Sequence, residues 1–383
     1  MRLLAIVPSV YDTSPGQRYR LEQWEPYLRR FGVEITYASF EDLELSTTLH
    51  KQGRVARKTY LIAKAIGRRA SLIKSLRDYD VIYVFREAAL FGPPIFERLV
   101  SRSGVPTIFD FDDSIFVPYV SPTYGYLSYL KFPAKTKTIC RLATHVIAGN
   151  SYLADYARQT NPNVSIVPTT IDTEKYQLLP RASDDHVPVI GWTGTFSTIQ
   201  HLDTLARALK RLAQTETFRL VVIGVPVYKI EGVDVEAVKW RSATEVSDLR
   251  QIDIGIMPLP DEPWTRGKCG CKALQYMALA IPSICSPVGV NSEIIEDGVN
   301  GFLASTEEEW LDKLKLLMHE PELRQRLGAA GRKTVETRYS AAVHAPRVYE
   351  ILQSVVARSG AHQKKPTLDP DEKGFTREDI QGI

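Results

Sequence analysis

The sequence predicts an α/β protein of two parallel-sheet domains, and three observations carry that prediction. The chain has 383 residues, too long for one average hydrophobic core, so two domains are the prior. Short apolar runs alternate with stretches of helical periodicity, the pattern of a parallel sheet covered by helices. Between Val167 and Pro188 the periodicity stops and Pro, Asp and Ser accumulate, which marks a linker.

In the first half, Leu3 to Val7 reads as a buried strand. The loop SVYDTSPGQRYR follows, then an amphipathic stretch from Gln17 to Phe31. Val33 to Tyr37, Val81 to Phe85, Thr107 to Phe109 and His145 to Ala148 are further strands. Phe96, Leu99 and Val100 sit on an intervening helix, and Ser151 to Arg158 forms another. The first loop lacks G-x-G-x-x-G, which argues against a classical dinucleotide site. Gly16 with Arg18 and Arg20 offers a tight turn and two cations at the carboxyl edge of the sheet; the alternative is helix-start arginines facing water. FDFDDSIF puts Asp110 and Asp112 on one side of an extended segment, with Asp113 beside them. The favoured reading is a set of polar groups for substrate hydroxyls, against a D-x-D metal site or a solvated loop.

Lys51 to Arg77 is the most basic stretch, with nine cations and no acidic residue. Ile62, Ile66, Ala70 and Ile73 give it one apolar stripe. Such a helix suits an anionic lipid surface, or packs by its stripe with solvated cations. No nucleic-acid motif or aromatic interleaving accompanies it.

The second half opens with Val189 to Trp192, followed by the small-residue loop GWTGTFS and a helix from His201 to Leu212. Leu220 to Ile223, a strand ending at Trp240, and Asp253 to Met257 come next, with a short helix over Ser247 to Arg250. Then comes GKCGCKALQYMALAIPSICS. Leu274, Met277, Ala278 and Ile281 fall on one helix face, Gly267 and Gly270 precede it, Pro282 ends it, and Ser283 to Cys285 is a strand. Lys268 and Lys272 lie at the helix start, where the macrodipole disfavours cations by about 0.3–1 kcal/mol each. An anion between them reverses that sign, so Gly267 to Lys272 reads as a phosphate cradle, with two surface lysines on a solvated loop as the alternative. Helical patterns at Glu307 to Met318, Pro321 to Thr337 and Ala341 to Val356 precede a polar tail.

A net charge of +3 requires any basic surface to be local. The four cysteines, with Cys269 and Cys271 too close for a zinc knuckle, read as reduced thiols. MRLLAIVPSV turns polar too early for a signal peptide, and no apolar run approaches the roughly 20 residues of a spanning helix. The expected location is the cytoplasm, on the inner face of the membrane if the basic helix docks there.

GKCGCKALQYMALAIPSICSPVG with EIIEDGVNGFL resembles the donor-binding segment of family-4 glycosyltransferases, the glycosyl transferases group 1. NSYLADYARQ with VPTTIDTEKY resembles the end of that family's first domain and its hinge, and SATEVSDLRQIDIGIMPL the segment before its donor loop. The resemblance covers nearly the whole chain except the tail. It implies a GT-B architecture, two Rossmann-like domains facing across a cleft: residues 1–170 on the acceptor side, a linker at 171–188, a nucleotide-sugar domain at 189–340, a helix at 341–358 crossing back to the first domain, and a disordered tail at 359–383.

It also implies transfer of a sugar, with retention, from a nucleoside-diphosphate sugar to a glycan, lipid-linked or polysaccharide acceptor. Neither metal nor cofactor is needed. Lys268 and Lys272 would hold the diphosphate, and Asp110 and Asp112 join them as catalytic candidates. Gly191, Thr193, Gly194, Thr195, Gly270 and Cys271 would line the donor, Gln275 the ribose and Arg241 the base. Gly16, Arg18, Arg20 and Asp113 would face the acceptor. The family's two glutamates are replaced by Gly267 and Gln275; Asp261 or Glu262 is the nearest substitute for the first. These departures leave two rival readings, a sugar-nucleotide 2-epimerase on the same fold and a non-catalytic binding homologue.

Overall fold

The computed structural model describes residues 1–49, 51, 53–119, 130–179 and 186–363. Its frame is two six-stranded sheets, every strand pair of which is parallel. The first contains β1 (Arg2–Val7), β2 (Glu34–Ser39), β3 (Val81–Phe85), β4 (Thr107–Phe111), β5 (His145–Ala148) and β6 (Val164–Ile166), in the order β2-β1-β3-β4-β5-β6. The second contains β7 (Val189–Thr193), β8 (Arg219–Ile223), β9 (Asp234–Val238), β10 (Ile254–Met257), β11 (Ser283–Cys285) and β12 (Phe302–Leu303), in the order β12-β11-β10-β7-β8-β9. Neither β6 nor β12 is among the strands read from sequence: Val-Ser-Ile and Phe-Leu are too short to show a period.

Alternate strand residues feed opposite cores, because successive side chains leave a strand on opposite faces. Leu3, Ala5, Val7, Tyr83 and Phe85 pack with Trp24 and Leu28, while Leu4, Ile6, Ile82 and Val84 pack with Phe109, Phe111 and Val146. The second sheet repeats the scheme, with Val221 and Ile223 under Leu274 and Met277, and Ile190, Leu220 and Ile254 under Leu314 and Leu317. Leu274, Met277, Ala278 and Ile281 are all buried. The helix itself stops at Ala278, four residues before Pro282, with Ala280 in the left-handed region.

The chain crosses between the sheets twice, side by side. Ile171 pairs with Ser340 in an isolated parallel bridge, and its N–H and C=O bond Tyr339 O and Ala341 N at 2.9 Å each. The last helix, Ala341–Gln363, then lays Ala345, Val348, Leu352 and Val355 against the first sheet's core. It runs past the expected end at 358; positions 364–383 of the expected tail lie outside the described residues.

The basic stretch folds as the helix Val55–Leu72 plus a 3-10 turn, Ile73–Asp78. Its buried face is not the expected stripe. Lys58, Leu61, Ala65 and Arg69 point inward, while Ile66 is 42% exposed. Arg69 reaches the carbonyls of Ala38 and Val7, Arg68 pairs with Asp42, and Arg57 pairs with Glu44. Guanidiniums on the inward face satisfy carbonyls at strand ends, a use that periodicity cannot reveal. All four cysteines are free. Among the described residues no helix is long and apolar enough to cross a membrane.

Candidate functional site

The loop between β10 and the helix Cys271–Ala278 is built in two steps. Pro263–Arg266 forms one helical turn, capped by Glu262 with Thr265 in a reciprocal box. Gly270, at φ 67, then turns the chain into the second helix. Trp264 lies in the first of these turns, and the Lys268 ammonium sits 3.5 Å from its ring centroid.

The two lysines differ. Lys268 pairs with Asp113 of the first half at 3.0 Å. Lys272, half-buried and 5.4 Å from the Trp192 ring, has no ion pair among the described residues. Burial and the charge of Lys268 push its pKa down to about 8.

The segment after β4 straps the first half onto this loop. Ser114 Oγ donates to Pro263 O at 3.1 Å, and Tyr119 stacks on Trp264 with centroids 4.3 Å apart. Tyr119 OH donates to Ser197 O. Asn150, at the end of β5, caps the helix Ser151–Arg158 through its Oδ1 and donates from Nδ2 to Gly267 O and Lys268 O. Gly267 is required here, because a Cβ would lie 2.0 Å from Ser114 Oγ. In this closed arrangement the position has no room for a glutamate. Gly267→Ala should therefore cost about 1–3 kcal/mol by overpacking, with part of the loss recovered by adding Ser114→Gly. Thermal melting of the two single variants and the double variant tests this; additive losses would show that the two residues do not touch.

Gln275 does not wait for a ligand. It is 5% exposed, and its Nε2 donates to Tyr19 OH at 2.6 Å and Tyr176 OH at 3.2 Å. Both tyrosines belong to a network around Glu245, which accepts two bonds from Arg18 at 2.9 and 2.7 Å, one from Tyr19 and one from Trp240 Nε1. Burial raises the Glu245 pKa, but the Arg18 guanidinium and the other donors outweigh it and hold the carboxylate below its ordinary range. The sequence reading missed Tyr19, Tyr176, Trp240 and Glu245; only a contact between distant segments brings them together.

Several expected site residues are taken up internally. Arg20 and Asp110 are fully buried and bonded to each other at 2.5 and 2.9 Å, with Tyr83 OH on the same carboxylate. Neither can touch an acceptor, and Arg18 is spent on Glu245. A buried charge must be paired, and the core supplied the partners. Asp112 has a different partner from Asp110: its carboxylate holds Arg86 at 2.7 Å. Burial raises the Asp112 pKa, and Arg86 more than reverses it. Arg86 was not foreseen. It has φ 58, in the left-handed region that bulky residues avoid, at the end of β3. Gly16 lets it in, because a Cβ there would lie 2.6 Å from Arg86 Nη2 and 2.8 Å from Asp112 Oδ2.

On the donor side, Gly191 is inside β7, where a Cβ would strike Ile252, so it serves packing. Thr193 donates its N–H to Tyr276 OH, while Gly194 packs on Trp192 and Thr195 closes a turn with Ser197 and Thr198. Arg241 is exposed on the loop after β9, and Cys271 Sγ approaches Gln275 Oε1 at 3.8 Å. Asp261 pairs outward with Arg266 at 2.6 Å and Glu262 caps its own helix, so neither supplies the missing carboxylate. Among the described residues no three His, Cys, Asp or Glu side chains converge to hold a metal. A cavity of about 270 Å³ opens beside the loop, lined by Asn150, Ser151, Cys269, Glu293, Arg338 and Arg347; neither lysine lines it.

Residues 187–320 match the family model described as Glycosyl transferases group 1. No curated protein matches the chain. Solved structures share the fold over nearly its whole length. Sucrose-phosphate synthase from Thermosynechococcus elongatus is 15% identical, with TM-score 0.68, covering 94% of this chain and 100% of its own. HepE of Anabaena in complex with UDP and glucose is 16% identical, with TM-score 0.66, covering 92% and 100%. The lipopolysaccharide outer core galactosyltransferase WaaB is 14% identical, with TM-score 0.58, covering 92% and 99%. The architecture is GT-B, as the resemblance implied.

Proposed function

We propose that this GT-B chain, whose residues 187–320 match glycosyl transferases group 1, transfers a sugar from a nucleoside-diphosphate sugar to a glycan, lipid-linked or polysaccharide acceptor. The observation that carries the reading is Lys272: a half-buried ammonium with no ion pair among the described residues, beside a second lysine, at the positive pole of a helix. That arrangement is costly in the free protein and favourable once an anion arrives. As the glycosidic bond breaks, negative charge grows on the leaving diphosphate. In this reading Lys268, Lys272 and the N–H groups after Gly270 meet that charge as it develops, so they stabilise the transition state more than the ground state. Lys268 must first exchange Asp113 for phosphate, which couples donor binding to the strap. These groups neutralise the leaving group themselves, so the proposed reaction needs no metal or cofactor; its retention of anomeric configuration is what the resemblance to glycosyl transferases group 1 implies.

UDP is the first nucleotide to try, because the Anabaena neighbour is described in complex with UDP-glucose. A thermal-shift screen of UDP, GDP, ADP and their sugars, followed by NMR of the reaction mixture, tests the proposal. A shift with one nucleotide and acceptor-dependent release of that diphosphate, with the product's anomeric configuration unchanged, is the expected result. Turnover without acceptor indicates an epimerase. The second reading, a non-catalytic binder, is favoured by the absence of an inward carboxylate at Gly267, Asp261 or Glu262; binding without transfer would establish it. The exposed cations Lys51, Arg54, Lys64 and Lys74, with exposed Val55 and Tyr60 among them, suit docking on the inner, anionic face of a membrane. Flotation with anionic liposomes tests that part, and a protein left wholly in the soluble fraction removes it.

A further inference from the structure

Resting on the diphosphate reading, the structure assigns a third ligand to the leaving group: the imidazole of His201, whose Nε2 donates to a phosphate oxygen held by Lys268 and Lys272. His201 is 4% exposed, and its Nε2 is buried with no hydrogen-bond partner among the described residues. Such an orphan costs about 1–3 kcal/mol, so a folded protein keeps one where something else completes it. The other described histidines differ at Nε2: His145 and His344 also leave a buried Nδ1 without a partner among the described residues, but through Nε2 they meet Ser165 Oγ at 3.0 Å and Arg338 O at 2.8 Å, and His186 and His319 likewise bond through Nε2.

Its position is the second argument. His201 lies on the turn of helix Ile199–Asp203 that follows the Thr195–Thr198 loop after β7. Its ring tilts against Trp264 with centroids 5.8 Å apart, and the same indole carries the Lys268 ammonium. The charged groups around it are Lys272 from the Cys271–Ala278 helix, Lys268 from the loop, and Asp113 from the strap. Burial and the two ammoniums push its pKa down to about 4, against the opposing pull of Asp113. In the free protein the ring is therefore neutral and unsatisfied. A diphosphate cancels the lysine field and offers Nε2 an acceptor, so binding raises the ring's proton affinity and draws in a proton.

The test uses the whole chain and calorimetry with UDP, GDP and ADP, and with the three nucleosides. For the diphosphate that binds, His201→Phe should weaken binding about 5–30-fold, His201→Gln should restore most of it, and nucleoside affinity should not change. In histidine-¹⁵N-labelled protein, the ring signal lost in His201→Gln should be neutral at pH 6 when free and imidazolium when the diphosphate saturates. An unchanged diphosphate affinity in His201→Phe, or a ring signal that does not move, overturns the assignment. If His201→Phe fails to fold, His201→Gln and the ring titration decide. Lys272→Met separates the two levels. If it binds as the wild type does, or if no diphosphate binds the wild type, the diphosphate reading itself falls. If it loses affinity while His201→Phe does not, only the histidine assignment falls.

Discussion

Lys272→Met should make the free protein more stable and its nucleotide binding about 10–100-fold weaker. Both effects follow from one misfit. The ammonium is half-buried, unpaired among the described residues and next to Lys268. Its folded pKa of about 8 lies below the ordinary 10.5. Between those values the unfolded chain binds more protons than the folded one, so stability rises with pH through that window. At neutral pH the charge is retained and costs on the order of 1–3 kcal/mol, which methionine removes while keeping the stem's packing. The same substitution deletes a charge-assisted bond to phosphate, worth about 1.5–3 kcal/mol. Diphosphate affinity of the wild type should decline above pH 8, by up to about tenfold per unit, because binding must then return a proton to Lys272. The variant should show no such slope. Thermal melting and calorimetry from pH 7 to 9.5 check both halves; a destabilised variant with unchanged affinity would make Lys272 a packing residue.

What the sequence could reveal depends on the range of the interaction. Lys268 and Lys272 were legible because their misfit is local, a cation at a helix start four residues from another. The buried face Leu274, Met277, Ala278 and Ile281 was legible for the same reason. Arg18, Arg20 and Asp110 were read as cleft residues because a charge at a strand end normally faces water. Their partners, Glu245 and each other, lie 90 to 227 positions apart. The five-residue π-helix Arg18–Glu22 buries every one of its side chains, which no 3.6-residue period anticipates. Arg86 escaped notice for a related reason: its role depends on a left-handed backbone and on the space over Gly16. The structure thus moves part of the expected acceptor site into the scaffold and replaces it with a strap from Asp112 to Tyr119.

Asp110→Ala puts that reassignment at risk. If Asp110 were a catalytic group at the cleft, the variant would fold normally and lose activity. The geometry requires the opposite. Arg20 is 0% exposed, and removing the carboxylate leaves it, among the described residues, the Val167 carbonyl at 2.5 Å and the face of the Trp24 ring. Tyr83 OH loses its acceptor at the same time. Breaking one side of a buried pair costs about 3–5 kcal/mol, because the surviving charge is uncompensated. Melting should therefore fall by about 6–20 °C, while the folded fraction keeps its affinity for the nucleotide. Asp110→Asn, which retains one acceptor, should lie between. The double replacement Arg20→Met with Asp110→Leu should recover most of the loss, since an apolar pair of similar volume is often neutral in such a site. A stable but inactive Asp110→Ala protein would return Asp110 to the cleft and refute the buried Arg20 clamp.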